Sequence, residues 1–257
     1  MTTADTLPAR RPGPRAWLAL IAAEARMVAR DTAGLVIPLG LPLLILVMNG
    51  LGTADTAVVD GVNVFERYVL PLVLVIVIAT VGVVNMPSFL AYYRKAHLLR
   101  RLAVTPAHPG MILTAQLAVS AAQSAVGVAL GVGAAMTLFG VGLPARPWTA
   151  LGVFALAALA MYAIGMLVAA LAPTGNAAAA IGLVLFFALG ATGGMFGSTD
   201  SLPRPLAAVG EALPFGAAVQ AVGRAWSGLP QEPGHLIALA VAVLVSSALA
   251  VRCFRWE

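Results

Sequence analysis

The sequence predicts an all-α membrane protein, with six transmembrane helices in one domain behind an N-terminal interfacial amphipathic helix. Three observations predict it. Charged residues make up 10% of the 257 and hydrophobic residues 61%, with a mean hydropathy of +0.96, whereas a soluble domain is about one-quarter charged. Apolar runs of spanning length recur from residue 34 to residue 252. Lysine and arginine concentrate on alternate connections between those runs. Too few ionisable groups remain to cover a water-facing surface, so hydrocarbon must take the place of water over most of the apolar area. The even spacing of the runs marks one membrane domain, residues 16–257, behind a tail of residues 1–15.

The tail is polar and carries Arg10, Arg11 and Arg15. No uninterrupted apolar core with a small-residue cleavage site follows, which argues against a cleavable signal peptide. Residues 16–31 read as an amphipathic helix. At about 100° per residue, Arg15, Arg26 and Arg30 share one stripe, and Trp17, Leu20, Ile21 and Val28 lie opposite. Such a helix lies in the interface with its arginines towards anionic headgroups. Glu24 breaks the pattern from the apolar side. A solvated, snorkelling carboxylate is the preferred reading, and pairing with a basic group is the other.

Six runs meet the requirement of roughly 20 apolar residues for a spanning helix: residues near 34–52, 68–91, 111–139, 149–171, 177–197 and 235–252. The third is long enough to tilt or to extend beyond the bilayer. Pro38, Pro42, Pro71 and Pro87 fall inside spans, where neighbouring helices must satisfy the carbonyls they free. Gly127 with Gly131, and Gly190 with Gly194, have the four-residue spacing of close helix approach, read here as general packing. With the N-terminus inside, the inner segments hold Arg10, Arg11, Arg15, Arg26, Arg30, Arg94, Lys95, Arg100, Arg101, Arg252 and Arg255. The outer loops hold Arg67, Arg146, Arg204 and Arg224. The basic excess inside places both termini in the cytoplasm of a multi-pass cell-membrane protein. It also explains the net charge of +5 without nucleic acid. Two connections are long, the inner 92–110 and the outer 198–234.

Several chemistries are absent. A phosphate-cradling loop ends in Gly-Lys-Ser/Thr, but the sole lysine, Lys95, lies in Tyr93-Arg94-Lys95-Ala96. The predicted spans hold no titratable residue beyond their ends, which argues against a proton antiporter. His97, His108 and His235 form no metal-ligand pattern, and the single cysteine, Cys253, forbids an internal disulfide. No metalloprotease or nucleophile-elbow motif occurs. The chain therefore reads as non-catalytic, with no catalytic, cofactor or metal residues of its own. Asn49, Asn85, Gln116, Gln123, Ser124 and Ser246 are polar within spans, and interhelical hydrogen bonding is their preferred role over solute contact.

The connection after the second span reads YYRKAHLLRRLAVTPAHPGMIL. Residues 94–104 can form a short basic amphipathic helix with Leu98, Leu99 and Leu102 on one side, stopped by Thr105-Pro106. This stretch resembles the first coupling helix of the permease subunits of type-2 ATP-binding-cassette (ABC) exporters, and among them the multidrug and antibiotic-resistance permeases. Their pattern is close to Gly-x-Leu-x-x-Leu followed by Thr-Pro and a hydrophobic helix. This chain has His97-Leu98-Leu99-Arg100-Arg101-Leu102, then Thr105-Pro106 and Met111-Ile112-Leu113. It departs from many relatives in having Lys95, Ala96 and His97 where they carry acidic residues and a glycine. A second similarity lies in the outer loop. The family's short hairpin between spans five and six has a Leu-Pro, a later proline usually preceded by asparagine, and an arginine. Leu202-Pro203, Leu213-Pro214 and Arg224 keep that order, with Leu213 departing from asparagine.

The resemblance covers residues 15–257 and implies a division of labour. Two permeases, identical or homologous, would pair with cytoplasmic ATPase subunits that bind ATP-Mg, while this chain binds no cofactor. Arg94, Lys95, Leu98, Leu99, Arg101, Leu102, Thr105 and Pro106 would dock on the ATPase. Spans two and five line the cavity in relatives, which suggests Asn85, Met86, Phe186 and Phe187 here. Pro203, Glu211, Pro214 and Arg224 would mark a re-entrant outer hairpin, shielded along 206–226. The turn Pro173-Thr174-Gly175-Asn176 reads as a tight interhelical turn rather than a partner contact. A wall without buried charge suits export of an amphipathic drug, antibiotic or lipid-like cargo. The alternatives are polysaccharide export by a related permease, and an ATP-independent channel or carrier.

Overall fold

The computed structural model describes residues 13–53, 58–59, 62–95, 110–197 and 203–253. Helix α1 covers Pro14–Arg30 and α2 covers Thr32–Thr53. A two-residue antiparallel ladder, β1 (Val58–Val59) with β2 (Val62–Asn63), follows. Span two is one winding path in four pieces: a π-helical turn Phe65–Val69, α3 (Leu70–Ala79), a second π-helical turn Thr80–Asn85, and α4 (Met86–Lys95). Then come α5 (Gly110–Phe139), α6 (Pro147–Leu171), α7 (Gly175–Thr192), α8 (Arg204–Ala212), α9 (Pro214–Trp226) and α10 (Pro233–Cys253).

Six of these stretches are long and apolar enough to cross a bilayer: Thr32–Gly52, Phe65–Tyr93, Gly110–Phe139, Pro147–Leu171, Gly175–Thr192 and Pro233–Cys253. Helices α8 and α9 form a bent pair, turned by 78° at Leu213. This is the predicted all-α membrane fold. The fifth span ends at Thr192, where Gly193 caps it and a turn with a positive φ of 91° at Gly194 leads away. With six crossings, α1, the end of α4, the start of α5 and the end of α10 share one face, called here the near face. The ladder, the start of span two and the bent pair share the far face.

Span two is the hub. It is buried over 83% of its most apolar stretch, against 28% for α2, 22% for α7 and 17% for α10. Its shape follows from two prolines. Pro71 and Pro87 lack the amide that the carbonyls of Arg67 and Val83, four residues earlier, would otherwise receive. Each proline is preceded by one of the two π-helical turns. Such widened turns are a known way to absorb an interruption of the helical ladder.

Neighbouring helices meet the hub through glycines. A Cβ on Gly182 of α7 would stand 2.2 Å from the Val83 carbonyl oxygen. One on Gly165 of α6 would stand 1.9 Å from that of Gly82. These two glycines, rather than the motif pairs singled out by spacing, let α6 and α7 close on the second π turn. Gly127 and Gly131 face Val77 and Leu74 of the same chain, so they serve internal packing.

Some polar residues within the spans bridge helices, and others bond within their own. Tyr162 of α6 donates to the Ser124 hydroxyl at 2.8 Å and to the Ser120 carbonyl at 3.2 Å, both on α5. Asn49 donates to the Ile45 carbonyl of its own helix at 2.9 Å. The far face is closed by Glu66, which accepts from the Gly142 amide at 3.2 Å, and by Phe65 packed on Phe139 at 4.9 Å.

Candidate functional site

At the near face, α4 runs to Lys95, so Arg94 and Lys95 form its last residues. Leu98, Leu99, Arg101, Leu102, Thr105 and Pro106, with the rest of the expected coupling helix, lie outside the described residues. The helix leading into that connection is anchored one residue earlier. The Tyr93 hydroxyl donates to the Glu24 carboxylate of α1 and to the Met27 sulfur at 3.3 Å. Glu24 and Tyr93 are each 5% exposed. Glu24 is therefore not solvated, which corrects the expectation, and its partner among the described residues is a tyrosine and not a base. A buried carboxylate requires a partner, and the tyrosine is one that fits an apolar helix face. Burial raises the Glu24 carboxyl above its ordinary pKa, and the hydrogen bond from Tyr93 opposes the shift. The interfacial helix is thus tied to the end of span two.

The same region contains a second junction. Gly34, in the first turn of α2, would give its carbonyl to the amide at position 38, but Pro38 has none. Two side-chain amides take that place. Asn85 Nδ2, at the end of the second π turn, donates to the Gly34 oxygen at 2.6 Å, and Gln123 Nε2 of α5 donates to the same atom at 2.6 Å. Sequence reasoning set Asn85 beside Met86 as cavity-lining and gave Gln123 only a general bridging role. The i, i+4 relation between Gly34 and Pro38 was the available signal.

The four cavity candidates do not converge on one open space. Asn85 points to α2. Met86 is fully buried and meets Gly165, while Phe186 is 1% exposed and packs edge-on against Phe215 of α9 at 6.5 Å. Phe187 faces outward from α7, stacked on Phe196 at 6.1 Å. A recess of about 280 Å³ opens elsewhere, among Leu113 and Leu117 of α5, Leu159, Tyr162 and Met166 of α6, and Val243 of α10. Its lining sits towards the near-face ends of these helices and is almost wholly apolar. Nothing in the local sequence marked it, because it arises where α5 and α6 meet the distant α10.

At the far face, the bend between α8 and α9 follows from Pro214. The residue before a proline is pushed to an extended conformation, and Leu213 has φ −74° and ψ 150°. Leucine supplies no side-chain cap to α9, whereas the asparagine usual in relatives could accept from the first turn. Pro203 caps α8, and Glu211 lies half-buried near its end. Helix α9 is buried along nearly its whole length, from Phe215 to Trp226. The pair is seated by glycines, since a Cβ on Gly210 would stand 2.0 Å from the Thr192 oxygen and one on Gly216 2.1 Å from that of Gly210. Leu206 and Val209 of α8 face away from the protein, whereas α9 packs against it.

Charged groups pin the hairpin down. Arg224 pairs with Glu232 at 2.6 Å and donates to the Pro230 carbonyl at 2.7 Å. Arg67, at the start of span two, reaches the Gln220 carbonyl and side chain of α9, each at 3.5 Å. Gly223 faces the Arg67 carbonyl freed by Pro71, and a Cβ there would stand 2.3 Å from it. Near the near face, Thr174 accepts from the Ala177 amide at 3.1 Å and caps α7, the tight interhelical turn expected of Pro173–Asn176.

The arrangement is a membrane domain with a buried central span, a bent far-face pair, and a near-face connection between the second and third spans. Compared with curated proteins, the chain finds no match. A family model described as ABC-2 type transporter matches residues 15–224, from the interfacial helix through α9 to Arg224. That match takes in five of the six spans and nearly all of the bent pair, and the chain belongs to the ABC-2 type transporter family.

Proposed function

We propose that this permease exports an amphipathic drug, antibiotic or lipid-like cargo, using ATP hydrolysed by a separate cytoplasmic subunit. The observation that carries the reading is the combination of family membership with a chain whose sole lysine lies outside any phosphate-binding loop. The excess of basic residues on the near-face connections supports a cytoplasmic near face, with both termini inside. The 96–109 connection then faces the ATPase, with Arg94 and Lys95 at its entry and Leu98, Leu99, Arg101, Leu102, Thr105 and Pro106 as the docking surface. Closure of the ATPase would push this lever and rock the spans. A second permease copy would cover the apolar outer sides of α2 and α7, where Val36, Ile37, Leu44, Met48, Val184 and Phe187 are exposed. Phe187 then stands at the boundary between copies, the one cavity candidate that an opening there would uncover. The apolar recess among α5, α6 and α10 supports a cargo that partitions into lipid, and it offers no aromatic stripe for stacking sugars.

The test is reconstitution. Proteoliposomes holding this chain and the ATPase that co-purifies with it are expected to show ATP hydrolysis stimulated by amphipathic dyes. Leu102→Asp and Arg101→Glu should abolish pull-down of the ATPase while membrane insertion stays normal. Retained pull-down by both variants would refute the docking assignment. Solute movement by the chain alone, without ATP, would make it a carrier or channel.

A further inference from the structure

We propose that Asn85 and Gln123 are positioning residues that form the joint between the first spanning helix and the two helices bracketing the 96–109 connection. The inference rests on the reading that this connection receives the ATPase. Pro38 leaves the Gly34 carbonyl without its helical donor, and two amides from outside the helix replace it, each at 2.6 Å. A carbonyl oxygen has two acceptor sites, so both bonds form at once. Asn85 stands one residue before α4, whose end leads into the connection, and Gln123 stands on α5, which leads out of it. One atom of α2 is therefore held by both arms of the lever.

The geometry makes this joint sensitive to relative movement. Inside the bilayer no water replaces a lost donor, and a hydrogen bond weakens steeply once stretched or misaligned. If the two arms shift relative to each other, the Gly34 oxygen cannot keep both partners, and α2 must follow one of them. The start of α2 also adjoins α1, which Tyr93 fastens to the end of α4. Movement of α4 thus reaches the first span at two points, and at the Gly34 joint α4 and α5 meet on one and the same atom of α2.

Pro38→Ala separates a structural role from a transmitting one. It restores a backbone amide that can bond to Gly34 within α2, and this new bond is independent of Asn85 and Gln123. The Asn85→Leu/Gln123→Met pair is expected to lower the Tm of the purified chain by roughly 3–10 °C, through a buried carbonyl left unpaired. Adding Pro38→Ala should return most of that shift. Movement is read with bimane on Met48→Cys, near the far-face end of α2 on the side that a second copy would cover, in a Cys253→Ser background and in complex with the co-purified ATPase. ATP with vanadate should shift the bimane emission when the joint is intact. The double variant should lose the shift, and the triple variant should remain without it despite recovered stability. A control label at Leu244→Cys on α10 should respond alike in all of them.

A retained Met48 shift in the double variant overturns the proposal. So does recovery of the shift in the triple variant, which would make the amides merely structural. A wild-type complex that hydrolyses ATP without any shift at Met48 overturns it as well. Failure of any ATPase to co-purify is a different outcome, because it removes the docking reading itself and the joint's role with it.

Discussion

Replacing Gly165 by alanine is expected to destabilise the protein, although alanine is the better helix former. The added Cβ would lie 1.9 Å from the Gly82 carbonyl oxygen and 3.1 Å from the Met86 methyl. A carbon and a carbonyl oxygen rest no closer than about 3.3 Å, so α6 and span two must separate by about 1 Å or distort. Backbone faces backbone at this point, and no side-chain rotation relieves the clash. Overpacking of this kind costs about 1–3 kcal/mol, offset by up to about 1 kcal/mol of helix propensity. Gly152→Ala on the same helix is the control, since nothing lies within 4 Å of its Cβ. It should gain the propensity without the clash. The two variants should therefore differ by about 1–3 kcal/mol, or about 2–12 °C in apparent Tm, measured by thermal unfolding in detergent. Equal melting of Gly165→Ala and Gly152→Ala would refute the close approach of α6 to the π turn. A loss of similar size is expected for Gly182→Ala, whose Cβ would face the Val83 oxygen at 2.2 Å.

Three further outcomes are expected. In a Cys253→Ser background and in detergent, Val209→Cys should react readily with a small lipid-permeable maleimide, and Ala218→Cys should not; equal rates would contradict the burial of α9. The raised pKa of Glu24 makes docking of α1 depend on pH with a definite sign. The folded form holds its proton more tightly than the unfolded one, so the stability contribution is complete below about pH 4.5 and is lost as pH rises through the folded pKa. Glu24→Gln should flatten that pH dependence in thermal melts, and an unchanged slope would assign it to another group. Arg224→Gln should release the Glu232 carboxylate and the Pro230 carbonyl, and speed proteolysis within the 227–232 loop without altering the α9 labelling pattern.

The prolines show how far local reading extends. Pro71 and Pro87 announced that the carbonyls of Arg67 and Val83 would lose their donors, because that consequence lies within five residues of chain. They did not announce that Gly223 and Gly182 would come up against those same carbonyls, across separations of more than ninety residues. The bend at Leu213 was likewise legible from Pro214, while the seating of α8 on Thr192 and of α9 on Arg67 was not. Glu24 was misread for the same reason. Periodicity put it on the apolar side of α1 but could not supply Tyr93, some seventy residues away.

By itself the sequence determined that the protein lives in a bilayer, how many times it crosses, where prolines free the carbonyls of its crossings, and that no phosphate loop lies within it. These follow from composition, run length and backbone stereochemistry, which act over one or two turns. Only the tertiary structure decided which span lies at the centre, where the apolar recess opens, and which side chains hold the Gly34 carbonyl. Lipid-facing and protein-facing positions are equally apolar in a membrane helix, so hydropathy carries no information about which side meets a neighbour. Contact is settled instead by small residues and freed carbonyls finding one another across the fold.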